Sequence, residues 1–288
     1  MALLPAALLE RLAALTLVSR KRAGGLTAGS RRSVRRGSSL EFADHRPYVP
    51  GDDLRLLDWH LYGRLDTLWV KLFEAEEDRI VQCLLDCSAS MAGEKLDYAR
   101  QVAAALGYVA LGVGDRVAVA GLSDVLAGYA PPRRGRATAS AVFRALEEVH
   151  PGGGTDLGAA LERYPRHHGA GIALLFTDFL YPDGPDRALR RLGSRGDDVH
   201  AFHLLSPVDL RPALSGDLLL VDAESGEELP VTVDDEVLDR YEATVRAWAD
   251  EMETTCRRLG VGYTRLLTSV PVETVVLDEL RRRGLVAR

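Results

Sequence analysis

From residue 80 onwards, the chain alternates short apolar runs with stretches of helical periodicity. Ile80–Leu85 is an apolar run of the kind that forms a parallel strand buried on both faces. In Lys95–Gly112, which follows, apolar residues recur every three or four positions, as on the buried side of a helix. Because parallel strands need a crossover connection, this alternation predicts an α/β fold with a mostly parallel sheet and helices on both faces.

The same pattern continues to the end of the chain and predicts further strands, further helices and one β-hairpin. The strands are predicted at Arg116–Leu122, Gly171–Thr177, Val199–Leu205 and Tyr263–Leu267. The helices are predicted at Thr138–Val149, Asp186–Leu192, Val237–Leu259 and Val272–Arg283. The hairpin is predicted to join Leu218–Asp222 to Leu229–Val233.

Changes in composition divide the chain into four regions. Residues 1–39 combine an amphipathic helix, marked by spaced leucines, with a basic linker rich in Gly, Ser and Arg. Residues 40–78 predict a small β-rich extension. Residues 79–206 contain the alternating α/β pattern, and residues 207–288 predict a C-terminal α/β extension packed on that domain.

Composition narrows the compartment and the class of partner. The net charge is −6, although residues 1–36 carry eight Lys or Arg against a single Glu. One short basic segment on an acidic protein does not predict nucleic-acid binding. Three cysteines without metal-ligand or paired-disulfide spacing indicate a reducing compartment. The apolar N-terminal stretch is too short and too charged to span a bilayer, so we expect a cytoplasmic protein without a transmembrane segment.

Three polar elements fall near the ends of predicted strands. Asp86-Cys87-Ser88-Ala89-Ser90 follows the first strand, the loop 152–156 precedes a short helix, and Thr177-Asp178 ends a later strand. Ligand sites of doubly wound sheets lie at the carboxyl ends of strands, so these loops are expected to converge. Their hydroxyls and carboxylates are hard oxygen donors that suit Mg²⁺ or Mn²⁺, with Ca²⁺ also open. The expected donors are Asp86, Ser88, Ser90, Thr155 and Asp178.

This combination of Asp-x-Ser-x-Ser, a later Thr and a strand-ending Asp resembles the metal-ion-dependent adhesion site of von Willebrand factor type A (vWA) domains. The resemblance covers roughly residues 79–206 and implies a Rossmann-like, doubly wound fold. It also implies that the two serines and the threonine coordinate the metal, while the aspartates act through water. The open metal position would then accept a carboxylate from a partner protein.

A second motif lies upstream, in residues 40–55, with Asp58-Trp59 and Val70-Lys71 after it. It is similar to the signature of the bacterial family called "domain of unknown function 58", which joins this block to a vWA domain. That resemblance implies a MoxR-type AAA+ ATPase as partner, with this protein acting as an adaptor or co-chaperone. We therefore expect a metal-dependent protein-binding module with no catalytic residues.

Other interpretations remain open at this point. A strand-to-helix turn favours Ser and Asp for helix capping alone, so the pentapeptide by itself does not establish a metal site. An aspartate beside Mg²⁺ can also form an acyl-phosphate, which would make Asp86 the nucleophile of a phosphoryl-transfer enzyme. A third alternative is a structural scaffold in which the site no longer binds metal.

Overall fold

The computed structural model describes residues 3–19, 40–75, 79–154, 156–167, 171–181, 184–222 and 226–288. The chain forms two compact units, of which residues 24–78 are the smaller; the larger contains residues 1–23 and 79–288. The strands are β1 (Thr16–Leu17), β2 (Leu40–Pro47), β3 (Trp69–Ala75), β4 (Ile80–Asp86), β5 (Arg116–Leu122), β6 (Leu126–Arg134), β7 (Ile172–Thr177), β8 (Asp198–Leu205), β9 (Gly216–Val221), β10 (Glu228–Val233), β11 (Gly262–Leu267) and β12 (Val286–Ala287). The helices are α1 (Ala6–Leu12), α2 (Trp59–Leu65), α3 (Glu94–Gly112), α4 (Ala139–Glu147), α5 (Leu157–Arg163), α6 (Asp186–Gly193), α7 (Pro207–Leu210), α8 (Asp235–Arg258), α9 (Val272–Thr274) and α10 (Leu280–Arg282).

Six strands of the larger unit form its central sheet, in the order β11-β8-β7-β4-β5-β6. Neighbouring strands are parallel except β5 and β6, which are antiparallel. β4 comes first in the chain and lies inside the sheet, with later strands added first on one side and then on the other. The predicted α/β fold with a mostly parallel sheet is confirmed.

β4 is buried along its whole length, and its side chains enter two separate cores. Val81, Cys83 and Leu85 pack with buried residues of α1, α3 and α4. Leu84 packs on the opposite face with residues of α5, α6 and α8. Because successive strand residues point to opposite faces, an apolar strand such as β4 requires helices on both sides of the sheet.

Of the six strands, β6 was not predicted. It carries Pro131-Pro132, and its side chains are exposed or half-buried rather than continuously buried. Proline has no backbone N–H, and in a central strand every N–H donates to one of the two neighbouring strands. Proline is therefore confined to sheet edges and bulges. β6 is the edge strand beside β5, and the register between the two shifts in this region.

The two ends of the larger unit pair with each other. α1 falls within the predicted amphipathic stretch and buries Leu8 and Leu12 in the core that also contains α3. β1 then pairs antiparallel with β12 near the C-terminus. The single helix predicted at Val272–Arg283 is wrong in detail, because a π-helical segment, Val275–Glu279, separates α9 from α10.

The smaller unit contains the hairpin of β2 and β3 together with α2. Asp58 caps α2 by accepting hydrogen bonds from the backbone N–H groups of His60 and Leu61, and its other oxygen lies 2.8 Å from His45 Nε2. The predicted β-rich character is thus only part of this unit. α2 was not predicted, and none of its residues is buried; Trp59 is 63% exposed.

A glycine at the start of β7 is expected to be essential for stability. A Cβ on Gly171 would lie 2.3 Å from the carbonyl oxygen of Ile80, which belongs to the backbone of β4. Gly171→Ala should therefore lower the free energy of unfolding by roughly 1–3 kcal/mol or more. The matched control is Gly193→Ala in α6, where a Cβ meets no atom within 4 Å. That change should be neutral or stabilising by up to about 1 kcal/mol; equal losses in urea denaturation would contradict the prediction.

Candidate metal-binding site

The candidate site begins where β4 ends. Asp86 and Ser88 are fully buried, and the Ser88 backbone N–H donates to Asp86 Oδ1 at 3.0 Å. The chain then turns through a short 3₁₀ segment, Ala89–Met91, before α3 begins. This turn brings the Ser88 and Ser90 hydroxyl oxygens within 3.0 Å of each other. Three of the five predicted ligands are therefore neighbours in one tight loop.

Asp86 is held on its other side by the end of β7. Thr177 Oγ1 donates to Asp86 Oδ2 at 2.7 Å, and the same hydroxyl accepts from the Phe179 backbone N–H at 3.0 Å. The Tyr181 hydroxyl also contacts Thr177 Oγ1. Both carboxylate oxygens of Asp86 thus accept hydrogen bonds, which fixes the orientation of this buried group.

Asp178 is the second buried carboxylate and is 1% exposed. Its Oδ2 accepts from Lys95 Nζ at 2.7 Å, and its Oδ1 accepts from the Leu180 backbone N–H at 3.2 Å. Lys95, from the first turn of α3, is itself buried and also lies 3.5 Å from Asp209 in α7. The predicted ligand Asp178 is therefore one half of a buried ion pair.

The fifth predicted ligand, Thr155, lies outside the described residues. The Gly-rich loop before it is described and is anchored at the end of β4, because the Gly152 backbone N–H donates to the Cys87 carbonyl at 2.8 Å. In the same loop Gly153 has φ +84°, and a Cβ there would lie 2.8 Å from the Asp124 side chain. The loop thus approaches the carboxyl ends of β4 and β5 closely enough to require glycine.

The electrostatics of this edge follow from burial. Loss of solvent raises the pKa of the Asp86 carboxyl to about 6, and the negative charge of Asp178 adds to the rise. The hydrogen bonds from Ser88 and Thr177 act in the opposite direction. Burial also raises the pKa of the Cys87 thiol to about 11, so this cysteine between the two ligands is a protonated, packed side chain rather than a nucleophile.

The oxygen atoms at this edge fit a hard divalent cation. Two hydroxyls and two carboxylates are present, with no sulfur or imidazole in the predicted set. Within the described ranges, no three His, Cys, Asp or Glu side chains group together, so a site built on carboxylates alone is not available. The fit rests on the serine hydroxyls and on the buried carboxylate of Asp86. Asp178 has Lys95 as a cationic partner at 2.7 Å, whereas no described cation lies that close to Asp86.

Comparison with known proteins establishes the family. Residues 44–251 match the family described as "Protein of unknown function DUF58". The chain belongs to this family. Uncharacterized proteins of Mycobacterium tuberculosis and Mycobacterium bovis are each 28% identical over 284 residues, covering 95% of this chain and 89% of theirs. An uncharacterized protein of Mycobacterium avium is 30% identical over 135 residues, 46% of this chain and 79% of its own.

Solved structures show more distant similarity to this DUF58 chain. BatB from Bacteroides thetaiotaomicron is 15% identical with a TM-score of 0.39, covering 71% of this chain and 98% of its own. An aerotolerance-related membrane protein from Bacteroides fragilis is 16% identical with the same TM-score and covers 71% and 99%. At these values the similarity carries no information about function.

The predicted cytoplasmic location is wrong on this comparison. One similar structure is described as an aerotolerance-related membrane protein and another as a membrane-spanning protein of Vibrio fischeri, which covers 71% of this chain and 98% of its own at 15% identity and a TM-score of 0.23. Cysteine content and the absence of a long apolar segment were the basis of the prediction, and neither excludes attachment to a membrane. In the part of the DUF58 chain that is described, no helix has the length and apolar character needed to cross a bilayer.

Sequence reasoning missed the residues that hold the predicted ligands in place. Thr177 was recognised only as a neighbour of Asp178, and Tyr181, Lys95 and Asp209 were not considered. A lysine in the first turn of a helix is unusual, because the positive end of the helix dipole disfavours it. That position of Lys95 in α3 is the one sequence signal for a buried anionic partner.

Burial of Asp86 predicts a pH-dependent stability in chelating buffer. Its folded-state pKa of about 6 lies above the ordinary value of 3.8, so the folded protein binds an extra proton between these values. Stability should fall as pH rises from about 4 to about 6, by roughly 2–3 kcal/mol, and stay lower above that window. Asp86→Asn should remove this fall in urea titrations, whereas Asp97→Asn at an exposed position of α3 should retain it. An unchanged fall in Asp86→Asn would contradict the assignment.

Proposed function

We propose that this DUF58 chain is a divalent-metal-dependent protein-binding module with a vWA-like domain and a metal-ion-dependent adhesion site. The observation that carries the proposal is the pair of Ser88 and Ser90 hydroxyls, 3.0 Å apart, beside the buried carboxylate of Asp86. The strand order supports the proposal. Strands β4, β5 and β6 follow one another toward one edge of the sheet, and β7, β8 and β11 follow one another toward the other edge. The candidate site lies between β4 and β7, where this order reverses and where ligands of doubly wound sheets bind.

In this proposal Ser88, Ser90 and Thr155 hold the cation, and Asp86 and Asp178 act through water. Mg²⁺ is the cation that the donors favour, with Mn²⁺ or Ca²⁺ as alternatives. The bound metal would supply an electrophilic position for an oxygen ligand from outside. Thr177 and the Ser88 backbone N–H keep Asp86 oriented toward the loop that carries the hydroxyls.

The proposed partner presents a carboxylate to this position. Family resemblance makes a MoxR-type AAA+ ATPase, or one of its clients, the partner to test, with this chain as an adaptor or co-chaperone. The phosphoryl-transfer alternative gains no support from the site, since Asp86 is fully buried and both its oxygens accept hydrogen bonds. A nucleophilic carboxylate needs an oxygen that the phosphorus atom can approach.

Metal titration separates this proposal from its alternatives. Isothermal calorimetry with MgCl₂ should give saturable binding, weakened at least about tenfold by Ser88→Ala or Thr155→Ala because each removes one oxygen ligand. Ser194→Ala, which removes an exposed hydroxyl after α6, is the matched control and should bind normally. Absence of binding in the parent chain would support a scaffold with a degenerate site. Hydrolysis of a generic phosphate ester that is lost in Asp86→Asn would support the enzyme instead.

Partner capture tests the protein-binding half of the proposal. A purified MoxR-type ATPase from the same genome should be retained by the immobilised chain in Mg²⁺ and released by a chelator. Retention should be lost in Ser88→Ala and preserved in Ser194→Ala. Capture that persists in chelator and in Ser88→Ala would overturn a metal-bridged contact.

The buried ion pair provides a second test. Lys95→Met leaves Asp178 buried without its cation, which should lower the free energy of unfolding in chelator by roughly 3–5 kcal/mol. If Asp178 belongs to the metal site, Mg²⁺ binds the folded state and restores much of this loss. Thermal unfolding in Mg²⁺ and in chelator measures the recovery. An equally deep loss in both buffers would place Asp178 outside the metal site.

A further inference from the structure

The hairpin formed by β9 and β10 is exposed to an unusual extent for its composition. Leu219, Val221 and Leu229 are 55%, 60% and 61% exposed. The two strands form a sheet of their own, separate from the central sheet. An isolated two-stranded hairpin is at best marginally stable in water, and exposed leucine and valine side chains add to the cost. These properties are typical of a strand pair that is completed by a partner.

Each face of the hairpin carries exposed apolar side chains. The register places Leu220 opposite Leu229 on one face and Leu219 opposite Pro230 on the other. A sheet that packs on its own protein has one apolar and one polar face. The face of Leu220 and Leu229 becomes half-buried at Leu218 and Val231 and ends at the buried Val233. The face of Leu219 and Pro230 is exposed and also carries Asp217, Thr232 and Glu228. Exposed apolar side chains therefore remain on both faces, and the alternating side chains of a strand added at the edge would cover them.

The two edges of the hairpin are not equivalent. Asp222 N–H donates to the Glu227 carbonyl at 2.9 Å, so this pair is hydrogen-bonded, and the pairs alternate from there along the register. Leu219 and Pro230 consequently form a non-hydrogen-bonded pair, in which backbone groups point outward. On β10 the outward position is a proline without an N–H, which protects that edge. On β9 the outward N–H groups of residues 217, 219 and 221 are all present.

Charge identifies the kind of strand that fits β9. Residues 212–239 contain nine Asp or Glu and no Lys, Arg or His. On β9 itself, Asp217 lies near one end and Asp222 follows the other, with only Leu and Val between them. A second copy of β9 would bring two of these acidic segments side by side, which is unfavourable.

We infer that the outer edge of β9 is a docking site for an extended partner segment with an apolar centre and Lys or Arg at both ends. The segment would add as a third strand, with backbone hydrogen bonds to residues 217, 219 and 221 and ion pairs to Asp217 and Asp222. This surface is separate from the metal-binding cluster. Failure of this inference can be distinguished from failure of the proposed function, because strand addition needs no metal.

The test uses the full-length chain and two fluorescent peptides, Arg-Val-Thr-Val-Thr-Arg and its counterpart with Glu at both ends. Fluorescence anisotropy should show saturable binding of the Arg peptide alone. Binding should be equal in Mg²⁺ and chelator and should weaken as salt screens the ion pairs. Equal binding of both peptides, or of neither, would overturn the inference.

Proline substitutions locate the edge. Leu219→Pro removes an outward N–H of β9 without removing a bond within the hairpin, and it should weaken Arg-peptide binding by roughly tenfold or more. Glu228→Pro makes the equivalent change on the outward side of β10, opposite Val221, and should leave binding unchanged. Equal effects of the two changes would overturn the assignment of the edge.

Charge reversal provides a variant that does not alter the backbone. With Asp217→Lys and Asp222→Lys together, the Glu peptide should bind in place of the Arg peptide. No exchange of preference would contradict the ion pairs. Sedimentation velocity of the unlabelled chain completes the test, because a dimer that Leu219→Pro dissociates would identify a second copy as the occupant and overturn the inference.

Discussion

Two carboxylates, Asp86 and Asp178, are buried side by side at the carboxyl edge of the central sheet, and the architecture around them compensates for their burial. Taking an ionised carboxylate out of water costs several kcal/mol unless hydrogen bonds or a counter-charge replace the solvent. Asp86 accepts hydrogen bonds from Ser88 and Thr177, and Asp178 forms an ion pair with Lys95. Adjacent strands β4 and β7 end at the same level, which brings Thr177 at the end of β7 beside Asp86 at the end of β4.

The backbone of this arrangement could be predicted from sequence because it rests on local patterns. The apolar run of β4 and the helical period of α3 are properties of consecutive residues, and they determine which ends of the strands face the site. The hydrogen bond from Thr177 to Asp86 joins residues 91 positions apart, and the Lys95–Asp178 pair spans 83 positions. Nothing in a local pattern encodes which donors satisfy a carboxylate over such distances. β6 escaped prediction for another reason, since its prolines obscure a strand that only an edge position permits.

The segment after β8 connects the site with the exposed hairpin. β8 ends at the same edge of the sheet, and α7 then brings Asp209 to 3.5 Å from Lys95 before the chain enters β9. Lys95 therefore lies between two acidic groups from different parts of the chain, one in the candidate site and one in α7. A change in the balance of charge around Asp178 would be felt by Asp209 through the same ammonium group.

The charges at this edge also explain why a hydroxyl-rich loop would be combined with buried acids. Lys95 neutralises one of the two carboxylates, and burial favours a proton on Asp86 at its pKa of about 6. Above that pH Asp86 is ionised and the edge carries an excess negative charge. Among the described residues, no cation lies as close to Asp86 as Lys95 lies to Asp178. A protein without a ligand for this edge would be more stable with an amide at position 86. A carboxylate retained there at a cost in stability is consistent with a site whose charge is completed by a bound cation.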